Sequence, residues 1–75
     1  MNILNWVNGL GKVYVAKVED LGKLEVACDS AQEAATYFAE MFYTTPVLEQ
    51  GVVIEVNEDP YNVQMRNGGL KAWRL

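Results

Sequence analysis

Few side chains in this sequence have the chemistry for nucleophilic catalysis. Ser30 is the only serine, Cys28 is the only cysteine, and no histidine is present to activate either of them. A nucleophile of this kind needs an adjacent base. Ser30 is better explained as the cap of a helix, and Cys28 as the end of a β-strand in which apolar and polar residues alternate. We therefore predict no catalytic residues.

Carboxylates are the remaining candidates for chemistry. Glu33 and Glu40 lie seven residues apart on one helical face, where such a pair is usually solvated rather than catalytic. Asn57, Glu58 and Asp59 could hold a hard cation, but they lack the ligand number and spacing of a calcium loop, so a turn is the better interpretation. One cysteine and no histidine exclude a thiolate or imidazole zinc site. The sequence predicts a protein that is not an enzyme and that binds no metal and no cofactor.

The size and composition predict one folded domain over residues 1–75. Of the 75 residues, 51% are hydrophobic and 11% are aromatic, which is more than a disordered chain contains. We find no apolar run long enough to span a bilayer and no signal peptide at the start. We therefore expect a soluble protein in the cytoplasm.

The charges are divided unevenly along the chain. The net charge is −4, and no lysine or arginine occurs between Leu24 and Met65. That interval contains the carboxylates of Glu25, Asp29, Glu33, Glu40, Glu49, Glu55, Glu58 and Asp59. An acidic block of this kind repels phosphate backbones and attracts basic protein surfaces, which disfavours nucleic acid as a partner.

The segment from Ser30 to Thr44 is the one strongly helical stretch. Ser30 and Glu33 have the spacing of a capping box, and Pro46 marks the end of the helix. At 100° per residue the apolar side chains share one sector, which we predict to be buried: Ala31, Ala34, Ala35, Phe38, Ala39, Met41 and Phe42. The opposite sector faces water and contains Gln32, Glu33, Thr36, Tyr37, Glu40 and Thr44.

Strands are predicted on both sides of this helix. Residues 12–18 and 23–28 form a hairpin with a four-residue loop, and either face of the first strand could be the inner one. After a connector at 44–50 come a strand at 52–56 and a turn at 57–60. Asn67 and Gly68 suit a type I′ turn in a final hairpin, which predicts these pairs: Met65 with Leu70, Val63 with Ala72, Tyr61 with Arg74, Gln64 with Lys71, and Asn62 with Trp73.

The element order β-β-α-β-β-β predicts an α+β domain, in which an antiparallel β-sheet of four to five strands packs on a single α-helix. The first ten residues fit either a helix or a strand. The outer sheet face is semi-apolar and is predicted to carry Glu25, Ala27, Val53, Glu55, Gln64, Lys71 and Trp73. On that face Trp73 could anchor a partner, or cover the sheet together with Trp6.

The stretch KLEVACDSAQEAATYFAEMF resembles a pattern common in small phage and mobile-element proteins, in which a strand ends in an Asp-Ser cap before an alanine-rich helix. Together with GVVIEV and the Asn-Gly hairpin, the arrangement over residues 12–75 is similar to that of some small anti-CRISPR proteins. This resemblance implies a stoichiometric inhibitor, not an enzyme, which binds a nucleic-acid-guided surveillance complex in the host cytoplasm.

These observations favour a small protein-binding module, in the form of a phage-encoded inhibitor of a host defence complex. The residues predicted to contact a basic partner surface are Glu33, Tyr37, Glu40, Glu58, Asp59 and Trp73. Two alternatives remain open. One is a structural or accessory phage protein that forms a homodimer, and the other is a weak nucleic-acid binder that uses the C-terminal hairpin with Arg66, Lys71, Trp73 and Arg74.

Overall fold

The computed structural model describes residues 12–75, which form five strands and two helices. In chain order these are β1 (Lys12–Val18), β2 (Gly22–Cys28), α1 (Ala31–Phe42), α2 (Thr45–Gln50), β3 (Val52–Val56), β4 (Asp59–Arg66) and β5 (Gly69–Arg74). The predicted α+β class is confirmed. The expectations for the first ten residues and for Trp6 fall outside the described part of the chain.

The five strands form one antiparallel sheet in the order β2-β1-β3-β4-β5. α1 lies across one face of this sheet and contacts all five strands, whereas α2 packs against β4. β2 and β5 are the two edge strands. Because the two helices connect β2 to β3, the chain passes from an edge of the sheet to its centre.

The start of α1 has the predicted Ser30 cap, but the Glu33 side chain bonds the amide of Asp29 and not that of Ser30 as a capping box requires. The Ser30 hydroxyl oxygen accepts a hydrogen bond from the Glu33 amide at 3.2 Å, and the Glu33 carboxylate accepts one from the Asp29 amide at 2.9 Å. One orphan donor of the first helical turn, the Glu33 amide, is satisfied in this way, and so is the amide of Asp29 just before the cap. The acidic side chain of Glu33 is therefore held in a defined position.

The predicted connector at 44–50 is wrong, and with it the prediction of a single helix. Pro46 lies in the first turn of α2, where its missing N–H costs nothing and its fixed φ favours the helix. Gly51 ends α2 at a φ of 92°. Leu48 of α2 is buried, so this short helix closes one end of the core.

The core lies between α1 and the sheet. Its buried side chains are Ala16, Val26, Ala34, Ala35, Phe38, Ala39, Leu48, Ile54, Val56, Tyr61 and Val63.

The predicted burial of Met41 and Phe42 is wrong, since Met41 is 60% exposed and Phe42 is also exposed. Met41 lies at the border of the apolar stripe. Phe42 occupies the last turn of α1, where it packs on Phe38 at 4.5 Å between ring centroids and leaves its other side open.

The strand pairing agrees with the predicted Asn-Gly hairpin, because all five predicted pairs between β4 and β5 are present. Two turns differ from the expectation. Gly22, at a φ of 114°, pairs with Val18 and shortens the first loop to residues 19–21. The turn after β3 contains only Asn57 and Glu58, both at positive φ, so the next two residues already belong to β4.

The face that β1 presents to the helix is settled by packing. Tyr14, Ala16 and Val18 contact the core, whereas Val13 is 51% exposed on the outer face. Between residues 12 and 75, neither helix is long and apolar enough to cross a membrane.

Candidate functional site

A groove of about 420 Å³ lies between the edge strand β2 and helix α1. Its lining residues are Val26, Ala27, Cys28, Asp29, Glu33, Thr36, Tyr37 and Glu40. β2 supplies the floor and one margin, and α1 supplies the opposite wall. The groove therefore runs along a sheet edge beneath a helix.

The direction of the peptide groups in β2 follows from the bonds of Val15. The amide and the carbonyl of Val15 both bond Asn57, on the side of β1 away from β2. Its antiparallel partner Glu25 therefore directs its own N–H and C=O away from β1. The alternation of an antiparallel ladder gives Lys23 and Ala27 the same direction. Within residues 12–75, these groups at the edge have no hydrogen-bond partner.

The wall of the groove is one stripe of α1. Glu33, Tyr37 and Glu40 recur at helical spacing, with Thr36 beside them. Tyr37 is 52% exposed, so its ring is available to a partner. In the described part of the chain no lysine or arginine forms an ion pair with Glu33 or Glu40. The wall is consequently a negative surface with one aromatic side chain at its centre.

The floor of the groove is apolar. Val26 is buried, and the Cys28 thiol donates a hydrogen bond to the Ser30 carbonyl at 3.2 Å. Burial raises the pKa of Cys28 above its ordinary value of 9.0, and the charges of Glu33 and Asp29 raise it further, although the bond to Ser30 opposes them. The thiol is therefore protonated at neutral pH. It serves as a small apolar contact and not as a nucleophile.

Only half of the predicted partner-binding residues meet in this groove: Glu33, Tyr37 and Glu40. Glu58 lines a separate hollow on the outer sheet face, with Val15, Lys17, Lys23 and Asn57. Asp59 forms an ion pair with Arg74 at 3.2 Å, which neutralises its charge locally. The predicted acidic residues thus do not form one continuous surface.

Trp73 lies on the outer sheet face, as its register predicted, and is half-buried. The guanidinium carbon of Arg66 lies 4.9 Å from the centroid of the Trp73 ring, within the range of a cation–π contact. Gln64 fixes the position of that guanidinium because its side-chain oxygen accepts a hydrogen bond from Nε of Arg66 at 3.1 Å. The side-chain nitrogen of Gln64 donates to the Glu49 carbonyl at 2.9 Å.

The cations of the C-terminal hairpin are mostly engaged. Arg66 and Arg74 both have intramolecular contacts, which leaves Lys71 as the unengaged cation of this hairpin. The support for a nucleic-acid site is correspondingly weak.

The residues that the sequence did not indicate are the floor and margin of the groove. The sequence predicts an ordinary β-strand at Val26, Ala27 and Cys28, because their residue types do not indicate that β2 is an edge strand. The helical periodicity assigns Thr36 to the solvent-exposed face of α1, but it does not indicate that β2 lies opposite this residue. Its hydroxyl donates to the Glu33 carbonyl at 2.9 Å.

No cluster of three or more metal-ligating side chains occurs between residues 12 and 75. Comparisons with protein-family models, with curated proteins and with solved structures each found no match for this chain. The function must therefore be argued from the groove itself.

Proposed function

We propose that this protein is a non-enzymatic binding module that holds a basic protein surface in the groove between β2 and α1. The observation that carries the proposal is the position of Glu33 and Glu40. They line an exposed wall beside the edge of β2, and no cation of the described chain pairs with them.

The chemistry of the groove suits association. No lysine or arginine of residues 12–75 pairs with Glu33 or Glu40, so a basic partner displaces no ion pair when it meets them. The Glu33 carboxylate can keep its bond from the Asp29 amide through one oxygen while the other oxygen meets a cation. Tyr37 between them offers a large, rigid contact, and tyrosine is enriched among residues that dominate binding energy. Single-sign charge also accelerates encounter with an oppositely charged partner, so binding should be fast and sensitive to salt.

A host nucleoprotein complex is the partner class that this proposal favours. Surfaces that hold a nucleic acid are basic, and an acidic module can occupy them. The resemblance to small anti-CRISPR proteins, which rests on the arrangement of the elements over residues 12–75, implies the same class of partner. A phage-encoded inhibitor acting in the host cytoplasm is the specific form of the proposal.

The test is affinity capture from a host lysate with three forms of the protein. The double variant E33Q/E40Q removes two charges from the groove, and glutamine at 33 can still accept the bond from the Asp29 amide. The control E19Q/E49Q removes two charges from exposed sites outside the groove. A partner held by the wild type and by the control, but lost by E33Q/E40Q, supports the proposal. Capture that all three share would overturn it.

Homodimerisation through the outer sheet face is a second candidate. Val13 and Val53 are each 51% exposed there, on a face that also carries Trp73. Exposed apolar side chains on a sheet face favour an interface. Because Ala16 pairs with Val56, Val13 and Val53 lie near opposite ends of this face, and a dimer interface that covers both would extend along the strands. Sedimentation at tens of micromolar tests this role: a dimer that V13T/V53T converts to monomer supports it, and a wild-type monomer near 8.4 kDa contradicts it.

A further inference from the structure

We propose that the groove binds an extended segment of the partner by strand addition: a stretch with lysine or arginine at alternate positions pairs antiparallel with the edge of β2, beneath α1. This inference rests on the proposed function and specifies how the partner is held. Its main support is the edge geometry of β2, to which the acidic wall adds charge complementarity.

The edge of β2 has the groups that an added strand needs. Lys23, Glu25 and Ala27 each direct one N–H and one C=O outward, as the bonds of Val15 require. Such a row is a template for a further strand about 4.8 Å away. Main-chain pairing of this kind gives affinity for an extended peptide, while pockets for alternate side chains give selectivity.

The position of α1 decides which peptide side chains meet the acidic wall. Cross-strand neighbours lie on the same face of a sheet. Peptide residues opposite Leu24 and Val26 therefore point towards the helix, because the side chains of those two residues contact the core. They enter the groove beside Glu33, Tyr37 and Glu40. Alternate basic residues then face the carboxylates, and their aliphatic stems lie on Tyr37 and Val26.

A second copy of β2 fits this edge poorly. Pairing two β2 edges would bring the acidic walls of two molecules together, and like charges across an interface oppose binding. A basic segment gains from the same charges. The occupant is accordingly a basic extended stretch of another protein.

The geometry makes a prediction about the peptide backbone. In an antiparallel pair, the peptide residues opposite Lys23, Glu25 and Ala27 direct their N–H and C=O towards β2, and their side chains point to the outer face. The residues that point towards α1 direct their N–H away from β2. Methylation of backbone nitrogens should therefore affect the two sets of positions differently.

The experiment uses a fluorescent, end-blocked heptapeptide in which lysine and threonine alternate, starting and ending with lysine. One variant carries backbone N-methyl groups on the three threonines, at positions 2, 4 and 6. Its matched control carries them on three of the four lysines, at positions 1, 3 and 5. Both variants keep the charge and the side chains. Binding is measured by fluorescence anisotropy, together with amide hydrogen exchange of the protein.

We expect backbone N-methylation at the threonines to lower the affinity at least about tenfold, because several hydrogen bonds to β2 are lost. Backbone N-methylation at the lysines should change the affinity less than about threefold. E33Q/E40Q should weaken binding about tenfold, and E19Q/E49Q less than about threefold. The amides of Glu25 and Ala27 should become protected when the peptide binds.

Other outcomes overturn the inference. Equal effects of the two methylations, with the dependence on Glu33 and Glu40 retained, would mean that charge alone holds the segment, so strand addition would fail while the proposed function stands. If backbone N-methylation at the lysines lowered the affinity more than N-methylation at the threonines, the antiparallel arrangement would be contradicted. Both proposals would fail if the unmodified peptide did not bind and if the E33Q/E40Q variant captured the same partner as the wild type.

Discussion

Asn57 bonds Val15 twice. Its backbone amide donates to the Val15 carbonyl at 2.9 Å, and its side-chain oxygen accepts from the Val15 amide at 2.9 Å. The side chain thereby replaces a main-chain carbonyl and extends the short pairing of β1 with β3 into a turn where φ is 49°. The contact also fixes the direction of the Val15 peptide groups, from which the open edge of β2 follows.

The two hydrogen bonds between Asn57 and Val15 predict how substitutions of Asn57 affect stability. Asn57→Asp keeps an acceptor oxygen and should change the free energy of unfolding by less than about 0.5 kcal/mol. Asn57→Gly keeps the positive φ without strain but loses the acceptor, and should cost about 0.5–1.5 kcal/mol. Urea denaturation measures both. Equal stabilities of the two variants would mean that the side-chain bond contributes nothing.

Phe38 should be the most sensitive position of α1. It is fully buried, and truncating a buried phenylalanine costs about 3–5 kcal/mol. A domain of this length has about 4–11 kcal/mol in total, so Phe38→Ala should be largely unfolded or melt far below the wild type. Met41→Ala is the control on the same helix. Since Met41 is exposed, this variant should shift stability by no more than about 0.5 kcal/mol.

Tyr43 should make the folded state sensitive to alkali. Burial raises the pKa of its phenol above the ordinary value of 10.0, and the negative charge of Asp20 adds to this. The unfolded chain therefore loses this proton at lower pH than the folded chain does, and unfolding releases a proton. The stabilisation is complete below pH 10.0 and is lost as pH rises further.

Denaturation at pH 8 to 11 tests this on Cys28→Ala, a background that removes the other group with a raised pKa. Adding Tyr43→Phe should flatten the decline in stability at the alkaline end. An unchanged decline would show that Tyr43 does not titrate differently in the folded and unfolded chains.

Amide hydrogen exchange should alternate along β2. Leu24 and Val26 direct their amides towards β1 and should exchange slowly, whereas Glu25 and Ala27 direct theirs to the edge and should exchange fast in the free protein. NMR resolves these four amides. Slow exchange at Glu25 and Ala27 in a monomer would mean that the edge is already paired.

Local features were predictable from the sequence because their causes lie within a few residues. The cap of Ser30 with Glu33 needs only one helical turn, and the register of β4 with β5 follows from Asn67 and Gly68 in the turn between them. The error at 44–50 has a local cause as well. Proline predicts the end of a preceding helix, but it suits the first turn of a new helix equally well, and Pro46 lies in the first turn of α2.

The amino-acid sequence by itself determined the strands, the capped helix, the acidic block and the charges of Glu33 and Glu40. Only the tertiary structure decided that β2 is an edge strand, because the order β2-β1-β3-β4-β5 depends on pairing between segments far apart in the chain. The same long-range pairing buried Ala16 and exposed Val13. It also separated Glu58 and Trp73 from the groove. A sheet edge has no residue signature, since main-chain N–H and C=O groups are the same at every position except proline.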